Sequence, residues 1–153
     1  DSVIDEYYVL EYPTWINVVA ITREGEFVMV EQYRHGLGEI FTELVAGVVE
    51  EGEPPLEAAK RELAEETGYG GGTWSLLTVL GPNPGSMNNL TYCYLAQGVE
   101  LISGQHLDST EDICVKLLSE GEVRRLLADD AIKQALMAAP LWKYFATHSQ
   151  GTH

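Results

Sequence analysis

Positive charge is scarce in this chain. Against 24 Asp and Glu stand 9 Lys and Arg, a formal net charge of −15 over 153 residues. Nucleic-acid backbones and anionic lipid surfaces are held by Lys and Arg, so no nucleic acid and no membrane are expected as partners. A negatively charged substrate would enter such a field only with a metal to neutralise it. Cysteine is as sparse. Cys93 and Cys114 form no Cys-x-x-Cys pair and no Cys/His spacing, which excludes a disulfide framework and a structural zinc site. Each lies in an apolar, strand-like run, so both are expected as buried free thiols. No apolar run approaches the ~18 residues of a membrane span. No leader pattern is visible, and the cytoplasm is the expected location.

What the chain does have is an ordinary globular balance, 45% hydrophobic and 22% charged, which argues against disorder. The length suits one domain with a real core. It also has one stretch unlike the rest, GVVEEGEPPLEAAKRELAEETGY, from Gly47 to Tyr69. Pro54 to Thr67 reads as a helix. Leu56, Ala59 and Leu63 recur at three- and four-residue steps. Pro54 and Pro55 suit its entry, and Gly68 suits the left-handed position that ends it. On that helix Glu62, Glu65 and Glu66 share one face. Like charges so spaced cost a helix roughly 0.2–0.5 kcal/mol per pair. A hard divalent cation reverses the sign, because it prefers carboxylate oxygens. Arg61 lies four residues from both Glu57 and Glu65 and can orient either carboxylate. Gly47 to Glu53 reads as a loop bringing backbone carbonyls to the same face.

The register of Gly47, Glu53 and Arg61-Glu62-Leu63-Ala64-Glu65-Glu66-Thr67-Gly68 resembles the complete signature box of the Nudix hydrolases. Tyr69 stands at the box's last, aliphatic position. The resemblance implies an α/β fold, an α/β/α sandwich around a mixed sheet. It implies metal-dependent hydrolysis of a diphosphate bond, with Mg²⁺ as the cofactor and Mn²⁺ as a substitute. Glu62, Glu65 and Glu66 are then metal ligands, joined by the Ala46 carbonyl. Arg61 orients a glutamate, Glu53 supports the loop, and Gly47 permits a backbone turn beside the metal.

Around the box, Glu31-Gln32-Tyr33-Arg34 and Glu43-Leu44-Val45-Ala46-Gly47 resemble segments of the ADP-ribose pyrophosphatase subgroup. That likeness makes Arg34 the candidate for substrate phosphate and a nucleoside diphosphate sugar the substrate. ADP-ribose, split to AMP and ribose 5-phosphate, is the first choice. GDP-mannose, UDP-glucose and a non-catalytic nucleotide-binding module are the alternatives. Leu107 to Ile113 resembles the loop that supplies a catalytic glutamate. Glu111 is the preferred base and Asp108 stands behind it, while Ser109 occupies a position where the subgroup often has glutamate. Pro84, Gly85 and Asn88 resemble the loop on the sugar side. A homodimer is expected, with the short strand segment of residues 1–14 as candidate contact.

The remaining chain reads as strands at Tyr7–Tyr12, Trp15–Thr22, Phe27–Tyr33, Ile40–Ala46, Trp74–Leu80, Leu90–Ala96 and Ile113–Leu118. Gly70–Gly72 reads as a flexible connector and Gln97–Glu111 as a long loop. A capping box at Ser119 starts a helix to Leu127. Asp129 or Asp130 caps another, which Pro140 interrupts, and the tail from Thr147 is expected to fray. Residues 1–153 are expected to form a single Nudix domain.

Overall fold

The computed structural model describes residues 3–148 and, from Trp15 onward, follows the expected order of elements with one strand divided and one short strand added. The strands are β1 (Trp15–Thr22), β2 (Phe27–Arg34), β3 (Glu39–Glu43), β4 (Val45–Val48), β5 (Tyr69–Gly70), β6 (Thr73–Leu80), β7 (Thr91–Leu101) and β8 (Ile113–Leu118). The helices are α1 (Pro55–Thr67), α2 (Glu120–Ala128) and α3 (Ala135–His148). The end of the expected frayed tail, residues 149–153, lies outside the described residues. Thr147 and His148, the start of that tail, belong to α3.

One mixed sheet holds all eight strands. β1 and β7 pair in parallel from Trp15/Thr91 to Thr22/Val99, and every other pairing is antiparallel. β1 and β2 pair only at their hairpin end, Ala20 with Val28 and Ile21 with Phe27. Beyond that they part. β4 takes the vacated edge of β1 and β3 that of β2. The single strand expected at Ile40–Ala46 is therefore two strands with a break at Leu44, since each half belongs to a different neighbour. This wedge delivers Ala46 and Gly47 directly to α1.

Side chains alternate across the sheet. Ile16, Val18 and Ala20 face Ala58, Ala59 and Leu63 of α1, while Val19 and Ile21 face Val123, Leu127, Met137, Leu141 and Phe145 of α2 and α3. Two apolar layers with helices on both sides make the α/β/α sandwich.

Several local readings change. Tyr7–Tyr12 is not a strand; it contributes one parallel bridge, Leu10 with Met87. Gly70–Gly72 is not a flexible connector: Gly70 belongs to β5, Gly71 and Gly72 each take a left-handed backbone at φ 72°, and Trp74 Nε1 donates to the Gly71 carbonyl at 2.8 Å. β7 runs on to Leu101, which shortens the long loop. Cys93 is buried, but Cys114 is exposed on β8, a strand paired with β2 alone. Asp129 ends α2 rather than starting α3. Pro140 lies inside α3. Proline has no N–H for the carbonyl four residues earlier, a defect worth about 3 kcal/mol. Here the buried Asn17 amide donates to that carbonyl, Leu136 O, so the helix continues.

Candidate active site

The acidic face of α1 is organised by one guanidinium. Arg61 Nε and Nη2 reach the two Glu53 oxygens at 3.0 Å each, and Nη2 also meets the Val48 carbonyl at 3.1 Å. Nη1 holds Glu62 Oε1 at 2.8 Å and Glu65 Oε2 at 3.1 Å. Of the two carboxylates open to Arg61 by spacing, Glu65 is bound, while Glu57 pairs with Lys60. The forked contact holds the Glu53 carboxyl below the usual carboxylate range and raises the guanidinium further. Gly68 closes the helix at φ 76° with its N–H on the Ala64 carbonyl.

Glu66 is the unusual member. The helical wheel places it on a polar face, yet it is 6% exposed. Loop 102–112 folds over the C-terminal end of α1. Ile102 and Ser103 N–H donate to the Gly68 carbonyl, His106 N–H to the Glu65 carbonyl at 2.8 Å, and Gln105 Nε2 to the Glu66 carbonyl at 2.7 Å. Burial pushes the Glu66 carboxyl up to about 8, helped by the negative Glu62 and Glu111 and opposed by Arg34 and the Ala46 N–H. Burial also raises Glu62, against the pull of Arg61. Gly47 touches the same spot: a Cβ there would collide with the Glu62 carboxylate.

These residues fit a divalent cation. The donors are hard oxygens, and Glu66 Oε2 is buried without a hydrogen-bond partner. Among the described residues no three His, Cys, Asp or Glu groups stand ready to hold a metal as they are. Arg61 Nη1 is the positive charge between Glu62 and Glu65 in this arrangement.

A cleft of about 440 Å³ joins these groups to residues from elsewhere in the chain. Arg34, Ala46, Gly47, Arg61, Glu62, Glu65, Glu66 and Glu111 all line it, as expected of candidates from one site. Arg34 leaves β2 half-buried and grips Glu43, itself 2% exposed, with Nε at 3.2 and 3.1 Å and Nη2 closer still. Glu43 thereby aims the guanidinium. Glu111 is held in a turn: its N–H donates to the Asp108 carbonyl, and its Oε2 accepts from the Asp108 N–H, both at 2.9 Å. Asp108 also lines the cleft, and Ser109 does not.

Pro84, Gly85 and Asn88 do not line it. They sit with the N-terminal segment, where the Tyr7 hydroxyl donates to the Gly85 carbonyl and the Asn88 N–H to the Leu10 carbonyl. Sequence reasoning also passed over Trp15, Glu50 and His106 as cleft residues. No local pattern marks them, because a strand end (Trp15) and two separate loops (Glu50 and His106) bring them there.

Comparison with known proteins decides the family. The NUDIX domain profile matches residues 12–139. This chain belongs to the NUDIX family. The Nudix domain here is 32% identical over 126 residues to an ADP-ribose pyrophosphatase of Bacillus subtilis (strain 168), covering 82% of this chain and 64% of that one. It is 36% identical over 115 residues to a methanol dehydrogenase activator of Bacillus methanolicus, covering 73% and 62%. The chain thus spans somewhat less than two thirds of both relatives. A crystal structure of an ADP compounds hydrolase superposes with a TM-score of 0.78 at 22% identity, over 91% of this chain and 77% of the other, a likeness of fold. Nudix hydrolases as a group use divalent metal ions.

Proposed function

We propose that this Nudix domain, acting as one unit over residues 1–153, hydrolyses the diphosphate of a nucleoside diphosphate sugar. ADP-ribose, giving AMP and ribose 5-phosphate, is the assigned substrate. The observation that carries this reading is the buried, unpartnered Glu66 oxygen at the base of an acidic cleft faced by Arg34. A solvated acidic helix has no use for such a group, since an unpaired buried polar atom costs about 1–3 kcal/mol. The relative named ADP-ribose pyrophosphatase supports the substrate class.

Glu62, Glu65, Glu66 and the Ala46 carbonyl would hold Mg²⁺, or Mn²⁺ in its place. When bound, the cation neutralises charge on the diphosphate oxygens. Arg34, aimed by Glu43, binds a phosphate oxygen through its guanidinium. Glu111 takes the proton of the attacking water as the new P–O bond forms and the bridging P–O bond breaks. Arg61 keeps Glu53, Glu62 and Glu65 in register while the substrate enters.

The N-terminal segment completes the proposal. Val3, Ile4, Tyr7, Tyr8, Val9, Leu10 and Tyr12 are all more than half exposed. Such a run suits a homodimer contact, with Pro84, Gly85 and Asn88 anchoring it in place of touching substrate within their own chain. Sedimentation of the chain with and without residues 1–12 tests this, and a monomer in both cases would refute it.

The test of function is product formation from ADP-ribose, GDP-mannose and UDP-glucose with Mg²⁺ and with EDTA. Metal-dependent AMP from ADP-ribose well above the other products is the expected result. Tight binding without turnover in Mg²⁺ would instead establish a regulatory module.

A further inference from the structure

We propose that Gln105 is a positioning residue for the reaction: its side-chain amide fixes the loop from which Glu111 meets the attacking water. The inference rests on the reading above, in which Glu111 takes the proton, and adds what holds that carboxylate in place. The last carbonyls of a helix have no partner within it and must find donors elsewhere. At the end of α1 the chain from Ile102 to His106 supplies them. The Ile102 and Ser103 N–H groups donate to the Gly68 carbonyl, the His106 N–H to that of Glu65, and Gln105 Nε2 to that of Glu66. The first three of these donors are backbone groups that any residue but proline provides. Only the bond to Glu66 depends on which side chain is present.

The same nitrogen has a second partner. Gln105 Nε2 donates to the Glu66 carbonyl at 2.7 Å and to the Ile113 carbonyl at 3.2 Å. Both partners are acceptors, so both amide hydrogens are engaged, and the amide oxygen cannot take the nitrogen's place. Ile113 is the first residue of β8, buried and paired with Gln32 of β2. One side chain thus joins the end of the helix that carries Glu62, Glu65 and Glu66 to the start of the strand that leaves the loop. The segment between, residues 106–112, is closed across its base. It carries the turn in which the Glu111 N–H meets the Asp108 carbonyl and Glu111 Oε2 meets the Asp108 N–H.

The two sets of bonds do different work. Those of the turn orient the Glu111 carboxylate relative to its own loop. Those of Gln105 set the loop relative to α1, and so set Glu111 relative to the glutamates it shares the cleft with. A proton acceptor acts only from the right place, and a misplacement of about 1 Å can cost on the order of 100-fold in rate. Arg34 and the helix glutamates lie outside the loop, on β2 and α1. Loosening the loop therefore acts on the chemical step and leaves phosphate and cation binding as they are.

Gln105→Met keeps the length of the side chain and removes both donors. With ADP-ribose and Mg²⁺ it should lower kcat about 10- to 100-fold, while KM and the Mg²⁺ affinity read by calorimetry stay close to wild type. The deciding measurement repeats the substitution in a Glu111→Gln background. There Gln105→Met should cost nothing further, because groups that act as a unit are not additive. The same loss in both backgrounds would mean a general structural role, and weakened Mg²⁺ affinity would mean an effect through Glu66. Either result, or an unchanged kcat in the single variant, overturns the proposal. A wild type that turns over no nucleoside diphosphate sugar defeats the proposed function first, and the role of Gln105 with it. A wild type that turns over while Glu111→Gln keeps full kcat defeats only the assignment of Glu111 and the role of Gln105 behind it.

Discussion

Arg61 and Glu53, eight residues apart, meet through two N–H···O bonds of 3.0 Å that close the loop between β4 and α1 onto the helix. The same guanidinium sits between Glu62 and Glu65. Lysine cannot reproduce the fork, because its ammonium is a single point of charge. Arg61→Lys should therefore lower the stability of the metal-free protein by about 2 kcal/mol, between the values of exposed and buried pairs. Thermal melts in EDTA measure the loss. Added Mg²⁺ should recover part of it, because the cation replaces the missing charge among the glutamates.

The burial of Glu66 makes stability depend on pH in a definite direction. Its folded carboxyl is pushed up to about 8, from an ordinary value of 4.5. The folded state thus binds this proton more tightly than the unfolded chain. The contribution is fully present below about pH 4.5 and is lost as pH rises through 8. Metal-free protein should lose on the order of a few kcal/mol between pH 5 and 8. Glu66→Gln should flatten that slope while lowering turnover about 100-fold or more. A melting temperature in EDTA that falls equally steeply for both proteins would assign the pH dependence elsewhere.

Gly47→Ala tests close approach. The added Cβ falls on the Glu62 carboxylate, so Glu62 must move while the apolar layers stay as they are. Mg²⁺ affinity, read by titration calorimetry, should drop about 10- to 100-fold, with a melting temperature close to wild type. Unchanged affinity would show that Glu62 is no ligand.

For the loop carboxylates, Glu111→Gln should reduce kcat by about 10²- to 10⁴-fold, the range of general-base catalysis. Ser109→Ala, outside the cleft, should leave kcat intact. Asp108→Asn should act weakly, because Asp108 meets Glu111 through its backbone. A large loss confined to Asp108→Asn would transfer the base to that residue.

The readings that held were those with local causes. The helix with its proline entry and Gly68 exit, the capping box at Ser119, and β1 and β8 to the residue follow from propensity and period over a few neighbours. Pro140 failed as a helix stop because its cure lies on β1, at Asn17, far away in the chain. The extended strand at Ile40–Ala46 divided at Leu44 because β1 and β2 diverge, and no window of sequence contains both.

The same division runs through the candidate site. By itself the sequence determined the candidate set: three glutamates on one helical face, an arginine in reach, and a glycine before them, because a 3.6-residue period fixes which side chains of a helix are neighbours. Only the tertiary structure decided which glutamate is buried, which arginine faces it and which loop folds over the end of the helix. Glu66 owes its raised pKa to burial in the folded chain, with Glu62 and the loop residue Glu111 adding to it, and Arg34 owes its aim to Glu43 on another strand. Burial and pairing depend on segments distant in sequence packing together, so no local pattern encodes them.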